Sequence, residues 1–200
     1  MTGLVILPII IGLLFLTFFI VKQQSAAVVE RFGKFVYVRQ SGLQLKIPIV
    51  DNVAGRLSLR IQQLDVVVET KTKDDVFVKL KVSVQFKVIK DKVYDAFYKL
   101  DNPADQITSF IFDVVRAEVP KLILDDVFIK KDDVAIAVKS EIQEAMTEYG
   151  FQIIKTLVTD IDPDAQVKES MNRINASERE KVAAQFEGEA QKILIVEKAK

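Results

Sequence analysis

VFVKLKVSVQFKV, Val76 to Val88, puts Val76, Val78, Leu80, Val82, Val84, Phe86 and Val88 on one face and Phe77, Lys79, Lys81, Ser83, Gln85 and Lys87 on the other. Strand side chains alternate between faces with a period of two. The pattern therefore predicts a half-buried strand in an antiparallel sheet. Upstream, Leu57, Leu59 and Ile61 alternate, and Leu64, Val66 and Val68 alternate in the opposite phase. The shift at Gln62 and Gln63 predicts a bulge or a break between strands. The polar KTKDD, Lys71 to Asp75, reads as a turn, and further strands are expected at Ala27 to Arg31 and Phe35 to Val38.

Downstream the period changes. Asn102 is a suitable cap for a helix opening at Pro103, and Ile107, Phe110, Ile111, Val114, Val115 and Val119 follow at helical spacing. Pro120 ends it. Val134, Val138, Ile142, Ala145, Met146 and Tyr149 form a second apolar stripe, closed by Gly150. FQIIKTLV, Phe151 to Val158, returns as a buried strand. Strands, then helices, then one strand define an α+β domain.

TDIDPDA, Thr159 to Ala165, spaces Asp160, Asp162 and Asp164 like the start of a calcium loop. The sixth position of such a loop needs glycine and the twelfth a bidentate glutamate, whereas these places hold Ala165 and Met171. The stretch is a joint instead, with Asp162 expected to cap a helix that begins at Pro163. From there to Lys200 the only glycine is Gly188 and no proline follows. A helix of that length would reach about 57 Å, too long to lie wholly against a small domain. Its thin apolar stripe, Val167, Met171, Ile174, Val182, Phe186, Ala190 and Ile193, broken at Glu178, predicts a coiled-coil-like oligomer interface with copies of itself or a contact with a partner, the alternative being a solvated single helix. No C-cap residue appears before Lys200, as expected of a helix that continues.

LVILPIIIGLLFLTFFIV, Leu4 to Val21, carries no charge. As one helix it would reach about 27 Å, near the thickness of a bilayer core. It is expected to be an uncleaved single-pass membrane anchor, with Leu4, Ile10, Leu14, Phe18 and Phe19 in lipid. A cleaved signal peptide would need a basic start that Met1 to Gly3 lacks, and a buried core helix is the remaining alternative. Lys22, Arg31, Lys34 and Arg39 all follow the run, which places the bulk of the chain on the cytoplasmic side of the cell membrane. GLQLKIPIVD, Gly42 to Asp51, is apolar for a loop. Its Leu43, Leu45, Ile47 and Ile49 either close a sheet as a short strand or rest on the lipid surface.

Composition removes several function classes. Lys and Arg balance Asp and Glu at 28 each, which gives no electrostatic reason to expect nucleic acid. Without cysteine or histidine there is no thiolate nucleophile, no disulfide and none of the commonest metal ligands and general bases. The paired acids Asp74–Asp75, Asp125–Asp126 and Asp132–Asp133 are adjacent, so their side chains diverge, and they read as turn and cap residues. No catalytic, metal or cofactor residue is assigned. A membrane-bound hydrolase and a pore-forming subunit are the alternatives to a non-enzymatic scaffold. The uncharged run offers no ion path for a pore.

AVVERFGKF (Ala27 to Phe35), SGLQLKIPIVD (Ser41 to Asp51), VETKTKD (Val68 to Asp74), VRAEVPKLILDDVF (Val115 to Phe128) and YGFQIIKTLVTDIDPDAQVKESMNRINASERE (Tyr149 to Glu180) occur in this order. In this the chain resembles the stomatin/prohibitin/flotillin (SPFH, band 7) superfamily, and most of all its hypersensitive-induced-response branch. The resemblance implies a membrane anchor over 1–24, an SPFH domain over 25–162 and the start of an extended coiled-coil helix over 163–200. It also implies large homo-oligomeric rings or cages that organise a membrane microdomain, and in some bacterial relatives the enclosure of a membrane-anchored AAA+ protease. Plant members of the branch carry an acylated glycine where this chain has Thr2.

Overall fold

The computed structural model describes the backbone of residues 16–198 and the side chains of 16–190 and 192. Eight strands run as β1 (Phe18–Val21), β2 (Ser25–Arg31), β3 (Lys34–Arg39), β4 (Gly42–Leu45), β5 (Asp51–Ser58), β6 (Gln62–Lys71), β7 (Phe77–Val88) and β8 (Phe151–Pro163). The helices are α1 (Val93–Tyr98), α2 (Pro103–Glu118), α3 (Leu124–Ile129), α4 (Lys131–Glu148) and α5 (Ala165–Lys198).

The strands make three antiparallel sheets, in the orders β1-β4, β3-β2-β5 and β6-β7-β8. The alternating stretch is the centre of the third. Val78, Leu80, Val82, Val84, Phe86 and Val88 are buried as expected, while Phe77 is exposed. The phase shift before β6 is a true break, because β5 and β6 belong to different sheets. The helix α2 buries Ile107, Ile111, Val114 and Val115, and α4 buries Val134, Val138, Ile142 and Met146, in one core shared with this sheet. Ala26 and Val28 bring the second sheet into the same core. Each such side chain gains about 1.5–3 kcal/mol on leaving water, so the fold rests chiefly on this layer.

Caps place the helices. The Asn102 side chain accepts from the amides of Ala104 and Asp105 at 3.1 and 3.4 Å. Gly150 follows α4 at φ +85°, where a Cβ would lie 2.5 Å from the Lys92 carbonyl oxygen, so only glycine fits. Asp74 shows what one adjacent-acid pair does. Its carboxylate accepts from Thr72 Oγ1 at 2.6 Å and from the Leu124 amide at 3.0 Å, capping α3 from a turn fifty residues earlier. Asp125 and Asp126 lie in the first turn of α3, and Asp132 and Asp133 in that of α4, where negative charge favours a helix.

Two expectations are corrected. Phe18 and Phe19 are not in a membrane-crossing helix. They lie in β1, which pairs with β4 from Phe18↔Leu45 to Val21↔Gly42. The aromatic and β-branched run Phe18, Phe19, Ile20, Val21 suits a strand, and β4 supplies the hydrogen-bonding partner that hydropathy cannot see. No helix among the described residues is long and apolar enough to cross a membrane. Leu4, Ile10 and Leu14 lie outside the described residues. The joint is also shifted. The strand β8 runs through Pro163, and the cap of α5 is Asp164, whose Oδ1 accepts from the Gln166 amide at 3.0 Å. Asp162 stays in the strand and pairs with Lys168 at 3.0 Å.

Candidate functional site

The two-stranded ribbon β1-β4 has one face that none of the described residues covers. Directly opposed residues of an antiparallel pair share a face, so Phe18 with Leu45 and Ile20 with Leu43 form a four-residue platform. They remain 44%, 53%, 69% and 65% exposed. On the other face Val21 is buried. Lys46 extends the ribbon by donating its amide to the Thr17 carbonyl at 2.8 Å.

The turn that follows carries Ile47 and Ile49, both exposed. Ile49 is 89% exposed at φ +70°. Left-handed backbone is strained for a β-branched residue, and here no packing compensates it. Phe32, at the tip of the β2–β3 hairpin, is alike: 85% exposed, at φ +51°. Arg31 pairs with Asp51 in register, so Phe32 and the Ile49 turn leave the same end of the second sheet. Glycine or asparagine would suit both turns better. Neither apolar side chain is packed away among the described residues.

Asp51 pins this end together. Its Oδ1 accepts from Arg31 Nε at 2.8 Å, and its Oδ2 accepts from Tyr37 Oη and from the Ile47 amide, each at 3.0 Å. The Asp51 amide in turn donates to the Ile47 carbonyl at 2.9 Å. The Arg31 hydrogen bond first, and then the Ile47 amide, hold the buried carboxyl down at about 2. Tyr37 is pushed up, by burial and then by Asp51.

The predicted lipid-surface residues Leu43, Leu45, Ile47 and Ile49 are all exposed, the first two on β4 and the others in the turn after it. The short-strand reading of that stretch is what the structure has, in β4, and its outward side chains are bare. Phe18 joins them, by way of a strand. Phe19, on the ribbon's other face, does not. Along α5, Val167 and Met171 pack partly against the domain core, so the chain's own domain already takes them up. Ile174, Val182 and Phe186 are exposed. The side chain of Ile193 lies outside the described residues. Ile20, Phe32 and Lys46 were not singled out as site residues in the sequence, and Arg31 and Arg39 entered it as flanking charge, Arg31 also as the end of an expected strand. An apolar residue beside Gly33 in a two-residue turn was the one signal that could have found Phe32.

An antiparallel α+β domain with a bare apolar ribbon and a long, largely exposed helix after its last strand defines the class, and comparison gives it a family. The profile of the SPFH domain / Band 7 family matches residues 19–192, and the chain belongs to that family. It is 46% identical over 180 residues to hypersensitive-induced response protein 4 of Arabidopsis thaliana, covering 90% of this chain and 62% of the relative. It is 30% identical over 170 residues to stomatin-like protein stl-1 of Caenorhabditis elegans, and 29% identical over 170 residues to mitochondrial stomatin-like protein 2 of Homo sapiens. Those alignments cover 84% of this chain and 52% and 47% of the relatives. The chain therefore spans about half to three-fifths of the relatives' length.

Proposed function

We propose that this protein is a membrane-attached, non-enzymatic scaffold that assembles with copies of itself and so organises a patch of bilayer. The observation that carries the reading is the strained, bare apolar end: Phe32 and Ile49 at positive φ beside the platform of Phe18, Ile20, Leu43 and Leu45. An apolar surface of this kind fits the interfacial layer of a membrane. The uncharged Met1 to Thr17 supports it. As a helix that run would reach about 26 Å, the short limit for a bilayer core. With no linker before β1, such a helix delivers the ribbon to the lipid surface. Leu4, Ile10 and Leu14 would lie in hydrocarbon, and the basic residues after the run keep the domain on the cytoplasmic side.

The exposed Ile174, Val182 and Phe186 of α5 hold neighbouring copies. A ring makes many weak attachments into one strong one. A membrane protein such as an AAA+ protease is the client that such a ring would enclose or restrain.

Gentle detergent extraction of the full-length protein followed by size analysis tests this reading. An assembly of many subunits is expected, shrinking on Val182→Asp with Phe186→Asp while the thermal melt of the domain is unchanged. A wild-type protein that extracts without detergent as a monomer would overturn it.

A further inference from the structure

Beside the apolar platform lies an open groove of about 360 Å3, lined in part by Arg31, Tyr37, Arg39, Leu45, Lys46 and Asp51. Leu45 belongs to both surfaces. Three cations face one carboxylate, and that carboxylate is already spent on Arg31, Tyr37 and the Ile47 amide. Arg39 has a different status. Its Nε is buried with no hydrogen-bond partner, and its guanidinium lies over the Tyr37 ring at 4.1 Å. It enters no ion pair among the described residues, and neither does Lys46. A buried donor without an acceptor costs stability and calls for a reason. The Tyr37 ring fixes the plane of the fork, so little ordering is left to a ligand that binds it.

We propose that this groove binds the phosphate of an anionic phospholipid headgroup, with Arg39 as the fork and Lys46 as the second charge, while the acyl chains continue over Leu45 onto the ribbon. The proposal rests on the membrane reading of that ribbon and adds a headgroup preference to it. Charge decides for an anion, because the lining is net positive and its carboxylate has no free oxygen to offer a cation. Adjacency decides for a lipid over a free anion, because the exposed Leu45 and Ile47 line the groove itself and a soluble phosphate would leave them in water. Arginine suits the task, since its planar fork meets phosphate oxygens in pairs and stays charged throughout the physiological range.

The test uses the full-length protein in a neutral detergent, titrated calorimetrically with three probes: dihexanoyl phosphatidic acid, dihexanoyl phosphatidylcholine and inorganic phosphate. Phosphatidic acid is expected to bind about tenfold or more tightly than the other two, since a charge-assisted hydrogen bond carries about that factor. Arg39→Gln should remove that advantage and leave phosphatidylcholine binding as it was, and Arg39→Lys should restore only part of it. Lys46→Gln is the second variant should Arg39→Gln fail to fold, and it should lower phosphatidic acid binding several-fold at low salt. Equal affinity for the two lipids, or phosphatidic acid binding indifferent to both variants, overturns the headgroup site. Inorganic phosphate binding as tightly as phosphatidic acid makes it a site for free anions and overturns the lipid assignment. Neither result touches the ribbon, whose contact with lipid is read separately by quenching from the acyl chains.

Discussion

If the ribbon lies in lipid, two carboxylates placed on it should lift it out. Phe18, Ile20, Leu43 and Leu45 each leave roughly half to two-thirds of a side chain bare. At about 2 kcal/mol for a whole side chain, full burial of the remainder would stabilise docking by about 5 kcal/mol. Replacing Ile20 and Leu45 by serine removes about half of this. The remaining ~2.5 kcal/mol still favours the docked form by about sixtyfold. Aspartate at the same positions removes as much and adds about 2.5–3.5 kcal/mol per carboxylate at full membrane depth on an insertion scale, so that the two together exceed the total gain. The protein contains no tryptophan, so Leu43→Trp gives a single emitter on the platform. In liposomes with brominated acyl chains the L43W indole should be strongly quenched. I20S/L45S should keep most of that quenching, and I20D/L45D should lose it and become open to iodide. All four positions are largely exposed, so the thermal melt should hardly move. An L43W indole that the brominated lipid does not quench in the otherwise wild-type protein would refute the reasoning. If iodide failed to reach it as well, the ribbon would be covered by protein and not by lipid.

Two further outcomes follow from the fold. Gly150→Ala adds a left-handed alanine and a Cβ 2.5 Å from the Lys92 carbonyl oxygen and 2.9 Å from the Ala96 amide nitrogen; together these should cost about 3 kcal/mol or more and lower Tm by several degrees, whereas an unchanged melt would contradict the close approach. The Asp51 carboxyl has a folded pKa depressed to about 2, so the stability it contributes is present above its ordinary value near 4 and is lost as pH falls through about 2. An NMR titration of the Ile47 amide, which donates to Asp51, should therefore show a midpoint near 2, and a midpoint near 4 would mean that the Arg31 pair does not form.

The third sheet was legible because its signal is local. Every second residue from Val76 to Val88 reports the same face, and both neighbours of β7 supply matching apolar sets. Asn102 and Gly150 were legible because a cap acts within a few residues of itself. The capping role of Asp74 was only half visible. A turn residue was expected, but the helix it serves begins at Leu124, and no spacing rule links the two. Asp162 and Asp164 were confused for a related reason. Proline usually marks the first turn of a helix, yet β8 continues through Pro163 because the ladder with Val78 extends that far.

The apolar N-terminal run was the hardest to divide, and its division carries the functional argument. Hydropathy counts Phe18 to Val21 with the residues before them, since a strand and a helix can share one composition. Only the partner separates them, and β4 lies more than twenty residues downstream. Once the ribbon forms, Leu43 and Leu45 stop being loop residues and become the second edge of a platform. The same closure brings Lys46 beside Arg39, from different strands and turns, so a groove of like charges appears that no sequence window contains. A surface built from β1, β4, the β2–β3 hairpin and the turn before β5 can bear on a bilayer only if all four stay in register. The buried Asp51 ties the hairpin to the turn, through one hydrogen bond to each of β2, β3 and the Ile47 amide, while the β1-β4 ladder holds the ribbon.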